Sequence, residues 1–191
     1  METLRTAQQM YEYHKANNLG EIFKEKEMLK HYQLIEADLK PNEYVIVPFI
    51  GRRAKRLQNG KYESSSYSVF CLTNQRLMQA RKGWINEEQQ QVSLNFLNDV
   101  TMQKRLIMGY VIIDTAKEEI IVETGSVCVE NIYKALSEAL HLLKQSETII
   151  QQPATITETN DKTKEQLQVL KGLYEQKVLT TEQFVESVLK L

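Results

Sequence analysis

The sequence predicts an α+β fold: a seven-stranded antiparallel barrel or sandwich closed by an amphipathic helix, with helices before it and a helical hairpin after it. Two observations carry that prediction. Seven short β-rich segments follow one another between residues 44 and 124, separated by turn-type residues such as Asn59-Gly60, Thr73-Asn74, Gly83 and Asn98-Asp99. Directly after them, Val129, Ile132, Ala135, Leu136, Ala139, Leu140 and Leu143 recur at three-and-four spacing, the pattern of a helix with one apolar face. The length of 191 residues fits one domain with appendages.

Residues 3–37 read as helix, rich in Glu, Lys, Gln, Met and Leu, with Asn17, Asn18 and Gly20 dividing the run in two. The second piece offers only a partly apolar stripe, either Ile22, Leu29, Tyr32 and Glu36 or Ile22, Lys26, Leu29 and Ile35, so this helix is expected to lean on another element. Pro41 ends the helical stretch and restricts Lys40 before it. The strands then read as Tyr44–Ile50, Tyr67–Leu72, Arg76–Ala80, Gln90–Phe96, Val100–Gln103, Ile107–Asp114 and Glu119–Thr124. Ser126 is placed to cap the closing helix, which runs to about residue 144. Residues 146–163 are polar, Thr-rich and contain Pro153, which reads as a linker. Two short helices, 164–176 and 180–191, end the chain.

Charge is distributed unevenly. The net charge of −1 conceals −1 over residues 1–40, +5 over 41–106 and −5 over 107–191. The near-zero total argues against a histone-like or acidic-tail protein. The lack of an apolar run of about 18 residues argues against a membrane-spanning helix. With two cysteines, Cys71 and Cys128, no basic-then-apolar leader and no disulfide framework, the expected compartment is the cytoplasm, with peripheral membrane contact as an extension of that reading.

The stretch from Leu39 to Gln145 resembles the bacterial pleckstrin-homology (PH) domains of the YokE-like kind. The residues carrying the resemblance are Lys40-Pro41-Asn42-Glu43 before the first strand, Cys71-Leu72-Thr73-Asn74-Gln75-Arg76-Leu77-Met78 around a strand-turn-strand, and the helix after Ser126. The resemblance implies a PH-like barrel and leaves the ligand open, because such folds host many unrelated roles. Within the signature, Thr73 and Asn74 suit a tight turn, Leu72 and Leu77 are expected to point inward, and Arg76 is expected to brace the turn.

The last 28 residues, 164–191, resemble the short C-terminal domain known as SHOCT, through Leu167, Leu170, Leu173, Tyr174, Val178, Leu179, Thr180, Glu182, Phe184 and Leu189. Lys177 stands where that family usually has Gly. A hairpin of this size cannot bury a core of its own. Its apolar positions Leu167, Leu170, Tyr174, Phe184 and Val188 are therefore the expected interface, and the resemblance implies oligomerisation or partner capture.

Catalytic chemistry finds little support. His14, His31 and His141 fall on three separate helices with no carboxylate or cysteine at ligand spacing, so no metal and no cofactor are expected. There is no Gly-rich phosphate loop, no Walker pattern and no GxSxG. Cys71 and Cys128 are expected to fill small apolar spaces. The one concentrated electrostatic feature is the segment 51–61, read as a loop between the first two strands, where Arg52, Arg53, Lys55, Arg56 and Lys61 could face an acidic protein or an anionic lipid. Trp84, after Arg81-Lys82-Gly83 at a hairpin tip, is a second contact candidate. Nucleic acid is not expected, since stacked bases need several aromatics on one positive face and Trp84 stands alone. The sequence thus predicts a non-enzymatic scaffold with a protein partner or a second copy of itself, and as the alternative a peripheral module for anionic lipid.

Overall fold

The helix-forming N-terminal stretch makes two helices because its interruption is built from residues that tolerate left-handed backbone. The computed structural model describes residues 3–21, 24–83, 85–151 and 170–171, with backbone alone for 146–151. Helix α1 (Ala7–Ala16) opens with a reciprocal cap: Gln9 N–H donates to Thr6 Oγ1 at 3.2 Å, and Thr6 N–H to Gln9 Oε1 at 3.1 Å. After Asn17 the chain turns through Asn18 at φ 52° and Gly20 at φ 138°. Helix α2 (Glu25–Asp38) ends before Pro41, as Pro requires, and Asn42 at φ 63° redirects the chain into the sheet.

Seven strands form one antiparallel sheet: β1 (Val45–Arg56), β2 (Tyr62–Thr73), β3 (Arg76–Lys82), β4 (Glu87–Ser93), β5 (Leu97–Lys104), β6 (Met108–Thr115) and β7 (Glu119–Gly125). Their order is β4-β3-β2-β1-β7-β6-β5. Helix α3 (Ser126–Gln151) follows β7 without an intervening loop. The expected fold class is therefore observed, with each of the seven strands in its place.

Several boundaries differ from the sequence reading, and three of the differences bear on the site. The expected loop 51–61 is mostly strand: β1 continues through Arg56 and β2 starts at Tyr62, leaving a turn of Leu57–Lys61 in which Leu57 N–H donates to Lys61 O at 2.8 Å. Charged residues extend the strand because β2 pairs with it through Arg56, opposite Tyr62, and β7 pairs on its other edge, Arg52 opposite Glu123 and Ala54 opposite Ile121. The fourth strand stops at Ser93, and Leu94–Phe96 form a 3₁₀ turn. The closing helix runs to Gln151, into the segment read as linker.

β1 joins the two halves of the sheet and bends to do so. Its register shifts between Arg52 and Ala54, the mark of a bulge. Gly51 sits at the bend, where a Cβ would lie 2.3 Å from Val122 Cγ1. Alternation along the strands then builds two large cores and a smaller third one of Ala54, Tyr110, Ile112 and Ile121. Phe70, Leu72 and Leu77 point inward with Phe49, Val122, Ile132 and Leu136, and Phe49 stacks on Phe70 at 5.1 Å. Leu72 and Leu77 are both buried, as their signature positions predict. Val69, Cys71, Met78 and Ala80 point outward and are covered by Met10, Tyr11, Met28, Tyr32 and Ile35 of α1 and α2. Each large aliphatic side chain buried this way contributes about 1.5–3 kcal/mol.

The N-terminal helices thus lean on the sheet, as the weak stripe of α2 predicts. A second tether is a hydrogen bond from Ile50 N–H to Leu19 O at 2.9 Å. At Gly20 beside it a Cβ would lie 2.4 Å from the Ile50 carbonyl oxygen. Under α1, His14 is fully buried between Tyr11 and Tyr32, at ring distances of 6.0 and 6.3 Å. Tyr32 Oη has no hydrogen-bond partner among the described residues. Burial pushes the imidazole down to about 4.

Residues 1–147 and 148–191 form separate compact units. In the second, Leu170 and Lys171 are described; both are helical, Leu170 half-buried. Leu167, Tyr174, Phe184 and Val188 lie outside the described residues, as does Trp84. Among the described residues no helix is long and apolar enough to cross a membrane.

Two tests follow from this architecture. Gly20→Ala meets both a positive φ and a backbone carbonyl, so it is expected to lose about 2–3 kcal/mol in urea denaturation, whereas Gly60→Ala, which meets a left-handed φ of 76° but open space, loses about 1 kcal/mol. The unfolded His14 takes up a proton near pH 6.5 and the folded one only near 4. Stability complete above pH 6.5 therefore declines as pH falls toward 4, by about 3 kcal/mol from this group. His14→Phe should flatten that part of the stability-against-pH curve.

Candidate interaction surfaces

The signature residues come first, since a functional role for them would show as side chains aimed at solvent. They point the other way. Arg76 is 5% exposed and Glu43 is fully buried. Arg76 Nε donates to Glu43 Oε1 at 2.8 Å and Nη2 to Oε2 at 2.9 Å, a two-pronged pair. Glu43 also accepts from Thr73 Oγ1 at 2.8 Å and from Lys40 N–H at 3.0 Å. Arg76 Nη2 reaches the Asp38 carbonyl at 2.7 Å, and its Nη1 donates to Gln91 Oε1. Burial alone would raise the Glu43 carboxyl, but the Arg76 guanidinium and the two other donors hold it below the ordinary carboxylate value. Asn74 completes the arrangement, taking Tyr44 N–H on its Oδ1 at 3.0 Å and giving its amide to Asn42 O at 3.1 Å. The arginine braces the turn, as expected, and with it the end of α2 and the start of β1.

The basic segment is the next candidate. Along β1, Arg52, Ala54 and Arg56 face outward while Arg53 and Lys55 face the barrel opening. Each arginine meets a glutamate: Arg52 with Glu123 at 3.5 Å, Arg53 with Glu118 at 3.0 Å, Arg56 with Glu119 at 3.3 Å. Among the described residues Lys55 and Lys61 have no such pair. Local charge is therefore far smaller than the count of cations suggests. The sequence separates these arginines from their carboxylates by more than sixty positions, which is why the segment reads as a free basic loop.

Arg53 also defines the mouth of the barrel. Its Nη1 donates to Gln79 Oε1 at 3.0 Å and Gln90 Oε1 at 2.8 Å, while Nη2 engages Glu118. These four side chains rim a cavity of about 300 Å³ whose floor includes Phe70 and Leu77. Lys55 and Glu63 line the adjoining depression. The mouth is polar, charge-balanced and already hydrogen-bonded across its width.

At the β3–β4 turn, Gly83 N–H donates to Asn86 O at 2.8 Å, and Ile85 is 92% exposed beside the position of Trp84. Arg81 and Lys82 pair with Glu88 and Glu87. His31 Nδ1 accepts from Lys82 N–H at 2.7 Å, which ties α2 to the end of β3. Cys71 and Cys128 are both buried and free, in keeping with small apolar roles. Burial pushes both thiols up. Among the described residues no group of three or more His, Cys, Asp or Glu side chains is placed to hold a metal ion. One surface that the sequence reading does not single out is the β5–β6 turn, where Leu106 and Ile107 are 94% and 76% exposed. Adjacent Leu-Ile at a strand boundary reads as strand interior, which hides it.

A family model for the bacterial PH domain matches residues 39–138, just over half of the chain. Comparison with curated proteins returns no match. Among solved structures, the hSac2 domain from human phosphoinositide phosphatase Sac2 is similar, with 13% sequence identity over 66% of this chain and 86% of that one, at a TM-score of 0.39. So remote a likeness carries no argument about ligand.

The geometry separates Arg53 from Lys55. Arg53→Ala removes a guanidinium bound by three acceptors and is expected to lower stability by about 1–3 kcal/mol. Lys55→Ala should stay within about 0.5 kcal/mol of the parent. Thermal denaturation of the two variants checks this.

Proposed function

Because the chain belongs to the bacterial PH domain family, whose domains are generally non-catalytic interaction modules, we propose that it is a non-enzymatic scaffold that self-associates through its C-terminal hairpin. One observation supports this above others: the ionisable groups that converge in the folded unit, Glu43 with Arg76 in its interior and Arg53 with Glu118 at the barrel mouth, are consumed in joining strands to one another. A site prepared for chemistry would leave such groups facing a substrate. The barrel then serves as a rigid platform, and association falls to residues 164–191, which resemble SHOCT and are too few to shelter Leu167, Leu170, Tyr174, Phe184 and Val188 by themselves. A second copy of the same hairpin offers matching apolar faces. Anionic-lipid binding through Arg52, Arg53, Lys55 and Arg56 is the weaker reading, since Glu118, Glu119 and Glu123 neutralise three of the four.

Light scattering of the full chain and of a Leu170→Asp, Phe184→Asp double variant tests the proposal. The parent should have at least twice the monomer mass, and the variant the mass of one chain. Equal monomeric masses would overturn self-association.

A further inference from the structure

A strand edge without a neighbour invites another strand, and three such edges of the sheet carry devices that block one. On β1, before it meets β7, Val45 exchanges hydrogen bonds with Leu4 and Ile50 N–H donates to Leu19 O at 2.9 Å, while Pro48 on the same edge has no N–H. On β5 a register shift follows Leu97, Lys144 Nζ donates to Asn98 O at 2.8 Å, and Asp99 Oδ1 accepts Val100 N–H at 2.8 Å. On β2, Arg52 Nε donates to Ser65 O at 2.9 Å. The outer edge of β4 has no comparable guard. Its 7 residues pair with β3 without a shift, from Glu87 opposite Lys82 to Ser93 opposite Arg76, and include neither Lys nor Pro. All are exposed except half-buried Val92. Among the described residues, only β3 hydrogen-bonds to the backbone of Glu87–Val92.

Side chains hold this edge straight and close to neutral. Gln90 Oε1 accepts from Arg53 Nη1 at 2.8 Å and Gln91 Oε1 from Arg76 Nη1, so arginines of β1 and β3 pin the middle of the strand. Glu87 and Glu88 are paired with Lys82 and Arg81. An edge ordered in advance loses little entropy when it pairs.

We propose that the outer edge of β4 pairs antiparallel with β4 of a second copy about a two-fold axis at Gln90, joining the two sheets into one. An axis there engages the whole strand. Gln89 faces Gln91, Glu88 faces Val92 and Glu87 faces Ser93, so no like charges meet. That self-match favours a second copy over a foreign strand. The pairing rests on self-association through the C-terminal hairpin, because one pair of short strands is too small an interface to hold a dimer alone. The hairpin raises the local concentration at which the two edges meet.

Disulfide trapping in the full chain tests the pairing, with oxidised glutathione as oxidant and the native Cys71 and Cys128 both buried. Directly opposed residues lie about 5 Å apart, within disulfide reach, whereas Glu87 and its own copy would lie about 20 Å apart. Gln90→Cys should therefore give a covalent dimer in most chains. Glu87→Cys and Ser93→Cys should each give about fivefold less or lower, while an equal mixture of those two should cross-link well above either alone. The mixture reads the same register without touching the Arg53 contact, and circular dichroism confirms that each variant is folded. Light scattering of the parent separates the two claims. A parent of at least dimer mass that traps neither through Gln90→Cys nor through the mixture overturns β4 pairing, leaves the hairpin reading intact and assigns the edge to a foreign strand. A parent of monomer mass overturns both. Trapping of Glu87→Cys or Ser93→Cys alone to the level of Gln90→Cys overturns the register and the proposal with it.

Discussion

One buried ion pair, Glu43 with Arg76, sets the geometry on which the remaining elements depend. A carboxylate with no exposed surface is costly to desolvate, and it is tolerated here because four donor bonds converge on its two oxygens. Those bonds tie Glu43, on the approach to β1, to Lys40 at the end of the N-terminal helical region and to Thr73 and Arg76 of the β2–β3 turn. Fixing them together determines where β1 begins relative to β2 and β3. That register sends Phe49, Phe70 and Leu72 inward and Ile50, Val69 and Cys71 outward. A slip by one residue would exchange the two sets.

Two apolar faces on one sheet require two covers. Helix α3 closes the inner face with Ile132 and Leu136, and α1 with α2 closes the outer one. The family match begins at residue 39, so the outer cover lies beyond the matched domain. That cover buries His14 and Tyr32 among apolar neighbours, so the N-terminal layer contributes to the loss of stability as pH falls from 6.5 toward 4. It also covers the outer face of β1–β3.

Much of this was legible in the sequence, and the limits have physical causes. Short-range rules were enough for the strands, for the Thr73-Asn74 turn, for the inward Leu72 and Leu77, and for Arg76 as a brace, because periodicity and turn chemistry are written locally. Glu43 was legible as part of a signature, yet its burial was not, since a lone Glu before a strand ordinarily faces water. The run from Gly51 to Lys61 was read as a loop because consecutive cations break the alternation that marks a strand. Its strand character comes from pairing with β2 as far as Arg56 and with β7 from Arg52 to Ala54, and the glutamates of β7 are distant in sequence. Leu106 and Ile107 were hidden for the converse reason: apolar residues beside a strand look like core until the turn is seen to carry them outward.

A double-mutant cycle on Glu43 and Arg76 tests the central claim most directly, with the unfolding free energies of Glu43→Gln, Arg76→Met and the combined variant measured in urea. The account predicts that each single change costs about 3–5 kcal/mol, that the combined change costs clearly less than their sum, and that the coupling exceeds about 2 kcal/mol. Single costs below about 1 kcal/mol with no coupling would contradict it, because the three chain segments would then be held in register by something else.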